Sequence, residues 1–300
     1  MSSDPSRTKP GTMRHGSPST PERRGFGVRW VIWLTLLVLA GPCLYVETPR
    51  EVAYWYLAAA IEDRSNGRQE AAYAKLEQAL SWSPSEAAVL LRQAAWRIDD
   101  GQYEAALKDC EKALEVAADH VGLLGQRAQA LQHLGRHEEA IEVWKLIDRK
   151  SKTSGEPSRE GALNALAYAR AVGNLEIEEG LKEVNEALKL RPNDAAILDT
   201  RGFLLYRKGE DAAALKDFND AIEGMERQLA QLEQQRTEPL DDLLMDRIPG
   251  EELKAARQGL AVMLYHRALL LKRLKMDDNA RIDLDRARKL IGREPDETLF

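Results

Sequence analysis

Few residues in this 300-residue chain combine the type and spacing that chemistry needs. His133 and His137 stand four apart and are followed by Glu138 and Glu139, which on one helix face could offer ligands to a metal. Gly135 falls between them and breaks the helix, so the imidazoles need not share a face and no metal site is expected. Cys43 and Cys110 are too few for a disulfide framework or a Cys-rich zinc or iron–sulfur centre. Cys110 reads as a small apolar filler. Asp99-Asp100 and Asp241-Asp242 read as solvated acidic pairs at helix ends or loops. No Gly-rich phosphate loop, GxSxG elbow or Ser-His-Asp order occurs. The expectation is no catalytic residue, no metal, no cofactor and no small-molecule substrate: not an enzyme.

What positions the remaining residues follows from composition and pattern. Charged residues make up 31% of the chain, apolar ones 44% and aromatics only 6%. Ala, Leu, Glu, Arg and Lys dominate, the palette of helical bundles and solenoids rather than β-sandwiches. The net charge of −6 lacks the basic surplus of a nucleic-acid binder. That charge is unevenly spread. The first 29 residues hold six basic side chains against two acidic ones, so the rest of the chain is strongly acidic.

Residues 1–27 are rich in Ser, Pro, Thr and Gly and cannot bury enough surface to offset their ordering entropy, so a disordered basic arm is expected. From Trp30 to Val46 the run WVIWLTLLVLAGPCLYV carries no charge. Its seventeen residues would span about 25 Å as a helix, at the short end of what crosses a bilayer core. Trp30, Trp33 and Tyr45 sit near its ends, and Arg23, Arg24 and Arg29 precede it. Residues 28–47 are therefore expected to form a transmembrane signal anchor, with the N-terminus cytoplasmic and all that follows extracytoplasmic. Cleavage after Ala40, releasing a secreted or periplasmic form, is the alternative.

A repeat fills the remainder. Asn66-Gly67-Arg68-Gln69-Glu70-Ala71-Ala72 recurs as Asp100-Gly101-Gln102-Tyr103-Glu104-Ala105-Ala106 and as Leu134-Gly135-Arg136-His137-Glu138-Glu139-Ala140, with glycines 34 residues apart. A later copy begins Lys208-Gly209. The segments align as 53–86, 87–120, 121–154, 161–194, 195–228 and 261–294. Small residues recur at the eighth position (Ala60, Ala94, Ala128, Gly202, Ala268, with Tyr168 the exception), at the twentieth (Ala72, Ala106, Ala140, Gly180, Ala214, Ala280) and at the twenty-seventh (Ala79, Ala113, Ala187, Ala221, Ala287, with Ile147 deviating). Antiparallel helices approach closely only where side chains are small. In the fourth segment two residues are expected to be inserted at the Gly173-Asn174 turn. Lys150–Glu160 reads as a polar connecting loop. An insertion at 229–260 begins with LAQLEQQR, which should extend the preceding helix, and then meets Pro239 and Pro249.

This period and pattern resemble the tetratricopeptide repeat family over residues 52–294, with 295–300 left as a tail. The resemblance implies an all-α, right-handed superhelix of about six helix-turn-helix repeats that binds a protein or peptide in a concave groove. The family's groove positions fall on Tyr54, Leu57, Ile61 and Arg64 of the first repeat, on Leu91, Ala95 and Ile98 of the second, and on Gln129, Gln132 and His133 of the third. The fifth contributes Asp199, Phe203, Tyr206 and Arg207, and the sixth Tyr265, Leu269, Lys272 and Arg273. The same positions can serve inter-repeat packing. Where some family members carry Lys and Asn to clamp a C-terminal carboxylate, Leu57, Ile61 and Arg92 stand here, so that use is not implied. The basic, aromatic end around Tyr206, Arg207, Tyr265 and Lys272 is the expected docking surface. The functional expectation is a membrane-anchored scaffold or assembly factor; the alternative is an oligomerisation subunit with an occluded groove.

Overall fold

The structure, a computed structural model, describes residues 48–154, 157–235 and 249–295. The expected arm and anchor lie outside the described residues, as does nearly all of the tail. The chain divides into two units, Met1–Val52 and Ala53–Phe300, and the repeats occupy the second.

Among the described residues there are twelve helices and no strand. They are α1 (residues 48–65), α2 (Gln69–Trp82), α3 (Ala87–Asp99), α4 (Tyr103–Leu114), α5 (Val121–His133), α6 (His137–Ser154), α7 (Arg159–Gly173), α8 (Ile177–Leu190), α9 (Ala195–Lys208), α10 (Asp211–Gln235), α11 (Pro249–Arg273) and α12 (Asp277–Ile291). No helix among the described residues is long and apolar enough to cross a membrane.

The hairpins share one turn. In each the first helix ends at a residue with positive φ: Gly67, Gly101, Gly135 and Gly209, but Asn174 in the fourth and Lys275 in the sixth. The next amide reaches back to the fifth carbonyl before it, as in Arg68 N→Asp63 O (2.8 Å), Gln102 N→Arg97 O (2.7 Å) and Met276 N→Leu271 O (2.9 Å). This closure satisfies carbonyls that the helix end would orphan.

Asn174 also corrects the register of the fourth repeat. Counting from that turn, the repeat begins at 160, and Ala167 takes the small eighth position in place of Tyr168. Ala167 is fully buried, as are Ala60, Ala94, Ala128 and Ala268, whereas Tyr168 is only partly buried. The insertion is one residue rather than two. Ion pairs between the two helices of a hairpin measure it: Asp63–Lys75 (3.5 Å) and Arg97–Asp109 (2.6 Å) are twelve residues apart, and Arg170–Glu183 (2.8 Å) thirteen. The extra residue is accommodated by Glu176, which also adopts positive φ.

Close approach explains the small residues elsewhere. A Cβ on Gly202 would lie 2.8 Å from the Phe218 ring, and one on Gly180 would lie 2.8 Å from Leu204. Around them Leu76, Val184, Phe203 and Phe218 are fully buried, so the core runs from hairpin to hairpin.

Two connections differ from expectation. Most of the Lys150–Glu160 connector is helical, because α6 continues to Ser154 and α7 begins at Arg159, capped by Ser158 Oγ accepting from Gly161 N. In the 229–260 insertion α10 does extend to Gln235. The return helix α11 then starts at Pro249, a residue suited to a first helical turn, twelve residues before the sixth repeat. Leu229, Leu232, Ala256 and Leu260 pack these extensions together.

Candidate functional site

The first helices of successive hairpins neighbour one another, with α3 against α5, α5 against α7, α7 against α9 and α9 against α11. Side chains on their shared face are the candidate site, and its two halves differ.

Over repeats one to three the face is open. Tyr54 is half-buried and donates its hydroxyl to Glu86 (2.9 Å). Leu57 and Ile61 lean on the first core cluster with part of their surface free, and Leu91 and Ile98 do the same on the next two. Ala95 and Arg64 are half-buried, while Gln129 is exposed. Gln132 accepts from the indole of Trp144 (2.9 Å), and His133 stacks on Tyr103 at 4.3 Å between centroids. Burial holds the His133 imidazole below its ordinary value of 6.5.

Over repeats five and six the face closes. Asp199, Phe203 and Tyr265 are 4%, 1% and 9% exposed, so they belong to the core rather than to an open groove. The cause is an aromatic stack. His266, fully buried on α11, lies 4.2 Å from Phe203, and Phe203 lies 6.0 Å from Tyr206, both nearly parallel. His266 Nδ1 sits 2.9 and 3.1 Å from the Asp199 oxygens, within hydrogen-bond reach of both. Leu269 packs partly buried against the same cluster. Arg207, exposed at its head, donates to the Ala171 carbonyl (3.0 Å) and covers the Phe203 ring. Tyr206 is half-buried beneath Arg273. Only Lys272 and the two arginines face outward here. Of the expected basic, aromatic docking end, Tyr265 is buried and Tyr206 half-buried, while Arg207 and Lys272 remain exposed.

Two features escaped the sequence. Asp100, read as a solvated pair with Asp99, takes both guanidinium nitrogens of Arg64 (2.7 and 2.9 Å), the Tyr73 hydroxyl (2.7 Å) and Gln69 Nε2 (2.6 Å). Burial alone would raise its carboxyl, but these donors hold it below its usual value. Burial is also the main cause raising the Tyr73 phenol well above its usual value, with the hydrogen bond to Asp100 acting in the same sense. The second feature is the His266–Asp199 pair, whose members are 67 residues apart and flank the insertion.

Chemistry is sparse among the described residues. His133 ends α5 and His137 begins α6, with Gly135 turning the chain between them. No three His, Cys, Asp or Glu side chains there are grouped to hold a metal ion. Cys110 is fully buried, and that burial pushes its thiol up to about 12.

Residues 97–154 match the family model described as tetratricopeptide repeat. A TPR repeat-containing protein of Pseudomonas aeruginosa is 29% identical over 158 residues, covering 52% of this chain and 26% of that protein. The match thus spans about a quarter of that relative's length. Among solved structures, a tetratricopeptide repeat protein from Parabacteroides merdae superimposes with a TM-score of 0.51 at 16% identity, over 80% of this chain and 93% of that one. The pilF protein of Pseudomonas aeruginosa gives 0.51 at 17% identity, over 82% and 94%.

The fold is the tetratricopeptide repeat fold. In that frame the first helices carry the candidate face, half-exposed from α1 to α5 and, on α9 and α11, partly filled by the buried Asp199, Phe203, Tyr265 and His266. Leu57, Ile61 and Arg92 occupy the places where a carboxylate clamp would stand, and no Lys–Asn pair replaces them.

Proposed function

We propose that this chain is a membrane-anchored interaction scaffold, on whose open face over repeats one to three a protein segment docks. One observation carries the reading: between α1 and α5 the face keeps apolar side chains half-exposed beside polar ones, whereas on α9 and α11 Asp199, Phe203 and Tyr265, at equivalent positions, are buried. A preformed face lowers the ordering cost of capturing a segment. Leu57, Ile61, Leu91 and Ile98 supply apolar contact; Tyr54, Gln129 and Gln132 supply polar handles. No catalytic family is indicated, and the tetratricopeptide fold supports an interaction role.

The anchor rests on the uncharged run 30–46 and the arginines before it. It places residue 48 onward on the extracytoplasmic side. In a variant with Cys43→Ser and a new cysteine at the exposed Ser65, a membrane-impermeant maleimide should label intact cells. Labelling only after lysis would reverse the orientation, and a mature chain beginning at Gly41 would replace the anchor with a cleaved signal. For the docking role, the intact chain should capture a protein from solubilised membranes. A chain that recovers only itself, and is not monomeric at micromolar concentration, would support the oligomerisation element instead.

A further inference from the structure

Junctions between hairpins repeat one contact that α1 leaves unmade. The third and tenth residues of a first helix rest on the second helix of the hairpin before. The third meets the twenty-eighth: Val89 shares a core cluster with Leu80, and Ile197 with Leu188. The tenth meets the twenty-first: Trp96 stands edge-on to Tyr73 at 6.1 Å, and Leu204 clusters with Leu181. Val89, Trp96, Ile197 and Leu204 are all buried. On α1 the same two positions are Trp55, 64% exposed, and Glu62, also exposed. Among the described residues no second helix precedes α1 to cover them.

The last second helix carries the complement. On α12 the twenty-first position is Arg281 and the twenty-eighth Arg288, where the fourth hairpin has Leu181 and Leu188. Between them Leu284, at the twenty-fourth, is only partly buried, whereas Leu76, Val184 and Phe218 at that position are fully buried. Both arginines sit in exposed pairs, Arg281 with Asp278 at 3.2 Å and Arg288 with Asp285 at 2.9 Å. Such pairs are worth little in water and exchange readily. An end that only caps a solenoid has a polar outer face, and an exposed indole on α1 does not fit that role. With the spacing of an internal junction, α12 of a second copy laid on α1 would bring Arg281 to Glu62 and Arg288 to Trp55. The first contact is an ion pair and the second a cation over an aromatic face.

We propose that the chain stacks head to tail, with α12 of one copy seated on α1 of the next as a second helix seats on a first within the chain. The occupant of the uncovered α1 face is thus a second copy. Its two surfaces differ, so the contact is heterologous and copies add in series. The candidate face uses other positions of α1, Tyr54, Leu57 and Ile61, and stays uncovered. Stacking therefore displays that face repeatedly rather than occluding it. The inference needs neither the anchor nor a docked segment.

Internal junctions also set the seventh residue of a first helix beside the twenty-fifth of the hairpin before, as Arg201 to Asn185 at 3.3 Å and Arg267 to Asn219 at 2.8 Å. In the stack those positions are Ala59 and Asp285. The test mixes two full-length chains in mild detergent, both with Cys43→Ser, one with Ala59→Cys and the other with Asp285→Cys. Copper phenanthroline supplies the oxidant, and the buried Cys110 thiol does not compete. The mixture should yield about fivefold more disulfide-linked dimer than either chain alone. Adding Glu62→Arg to the first chain, or Arg281→Glu to the second, should cut that yield about fivefold, and both together should restore it. Equal yields from the mixture and the single chains, or a mixed yield that neither reversal lowers, overturns the stacking. Loss with each reversal and no recovery in combination overturns it too. The substituted residues lie off the candidate face, so the two readings fail separately. A chain that stacks but captures no protein loses the docking role, and one that captures without stacking loses only this inference.

Discussion

Arg273 donates to the backbone carbonyl of Tyr206 at 2.8 Å and lies 3.9 Å above the ring of the same residue. Arg207 repeats the arrangement one hairpin earlier, donating to the Ala171 carbonyl at 3.0 Å with its guanidinium over Phe203 at 4.8 Å. Both arginines take the thirteenth position of their repeat, and both carbonyls the twelfth of the repeat before, at the end of a first helix. A cation there meets the negative end of the helix dipole. The residue type that suggested ligand contact is therefore a staple between repeats.

Removing one staple should cost stability in proportion to its exposure. Arg207→Ala should lower the unfolding free energy by about 1 kcal/mol, since a charged hydrogen bond is worth more when buried than at this exposed rim. Arg207→Lys should recover less than half, because an ammonium cannot hold the carbonyl and cover the ring together. Urea titration of the three proteins decides it. Full recovery by lysine would mean that charge alone matters.

Two glycines on first helices should respond oppositely to alanine. At Gly202 the new methyl meets the fully buried Phe218 ring at 2.8 Å. Overpacking of about 1–3 kcal/mol should outweigh the better helix propensity of alanine. At Gly125 the nearest atom, on Trp144, is 3.7 Å away, an ordinary contact. Gly125→Ala should therefore stabilise by about 0.5–1 kcal/mol. Thermal melts moving in the same direction would contradict the helix spacing described for these repeats.

Ala106 is fully buried where α4 crosses its neighbours. Ala106→Leu should destabilise by about 1–3 kcal/mol, against no more than about 0.5 kcal/mol for the exposed Lys112→Ala. Equal melting temperatures for the two variants would displace the second repeat from its register.

Acid should act through His133. Burial depresses its folded pKa below 6.5, so the unfolded chain takes up the proton first as pH falls. The contribution of the neutral ring is complete above about 6.5, the unfolded value, and is lost as pH drops through and below it. The urea midpoint of the parent should accordingly fall more between pH 7.5 and pH 5.5 than that of His133→Gln. Parallel slopes would show that the ring is solvated.

The repeat was legible because its constraint is local and recurs. Each hairpin needs a small residue at the crossing and a residue able to take positive φ at the turn, and both requirements return every 34 residues. Repeat four was misread because Asn174 does the work of glycine there, while Gly173, one residue earlier, attracted the alignment. Groove positions were less legible for a different reason. Whether the ninth position of a repeat is open depends on what the next hairpin lays over it. For Phe203 that is His266, delivered by a helix beginning beyond the insertion. No spacing within repeat five reports this, and the buried partner of Asp199 could be found only across 67 residues.

The same asymmetry fixes where partner capture should be sensitive. Gln129 is exposed on α5 in the open half of the face, and Lys272 is exposed at the closed end. Gln129→Arg places a large cation among half-exposed apolar groups without touching the core, so the helical circular dichroism should be unchanged. Capture of the docking segment should weaken tenfold or more, about 1.4 kcal/mol. Lys272→Glu reverses a charge at the closed end and should leave capture within about twofold, consistent with the small effect of an exposed rim charge. The paired measurement is capture from solubilised membranes with each full-length variant, read against parent. If Lys272→Glu abolishes capture while Gln129→Arg retains it, the docking surface is the basic end after all, and the aromatic stack beneath it supports a binding edge rather than a seal.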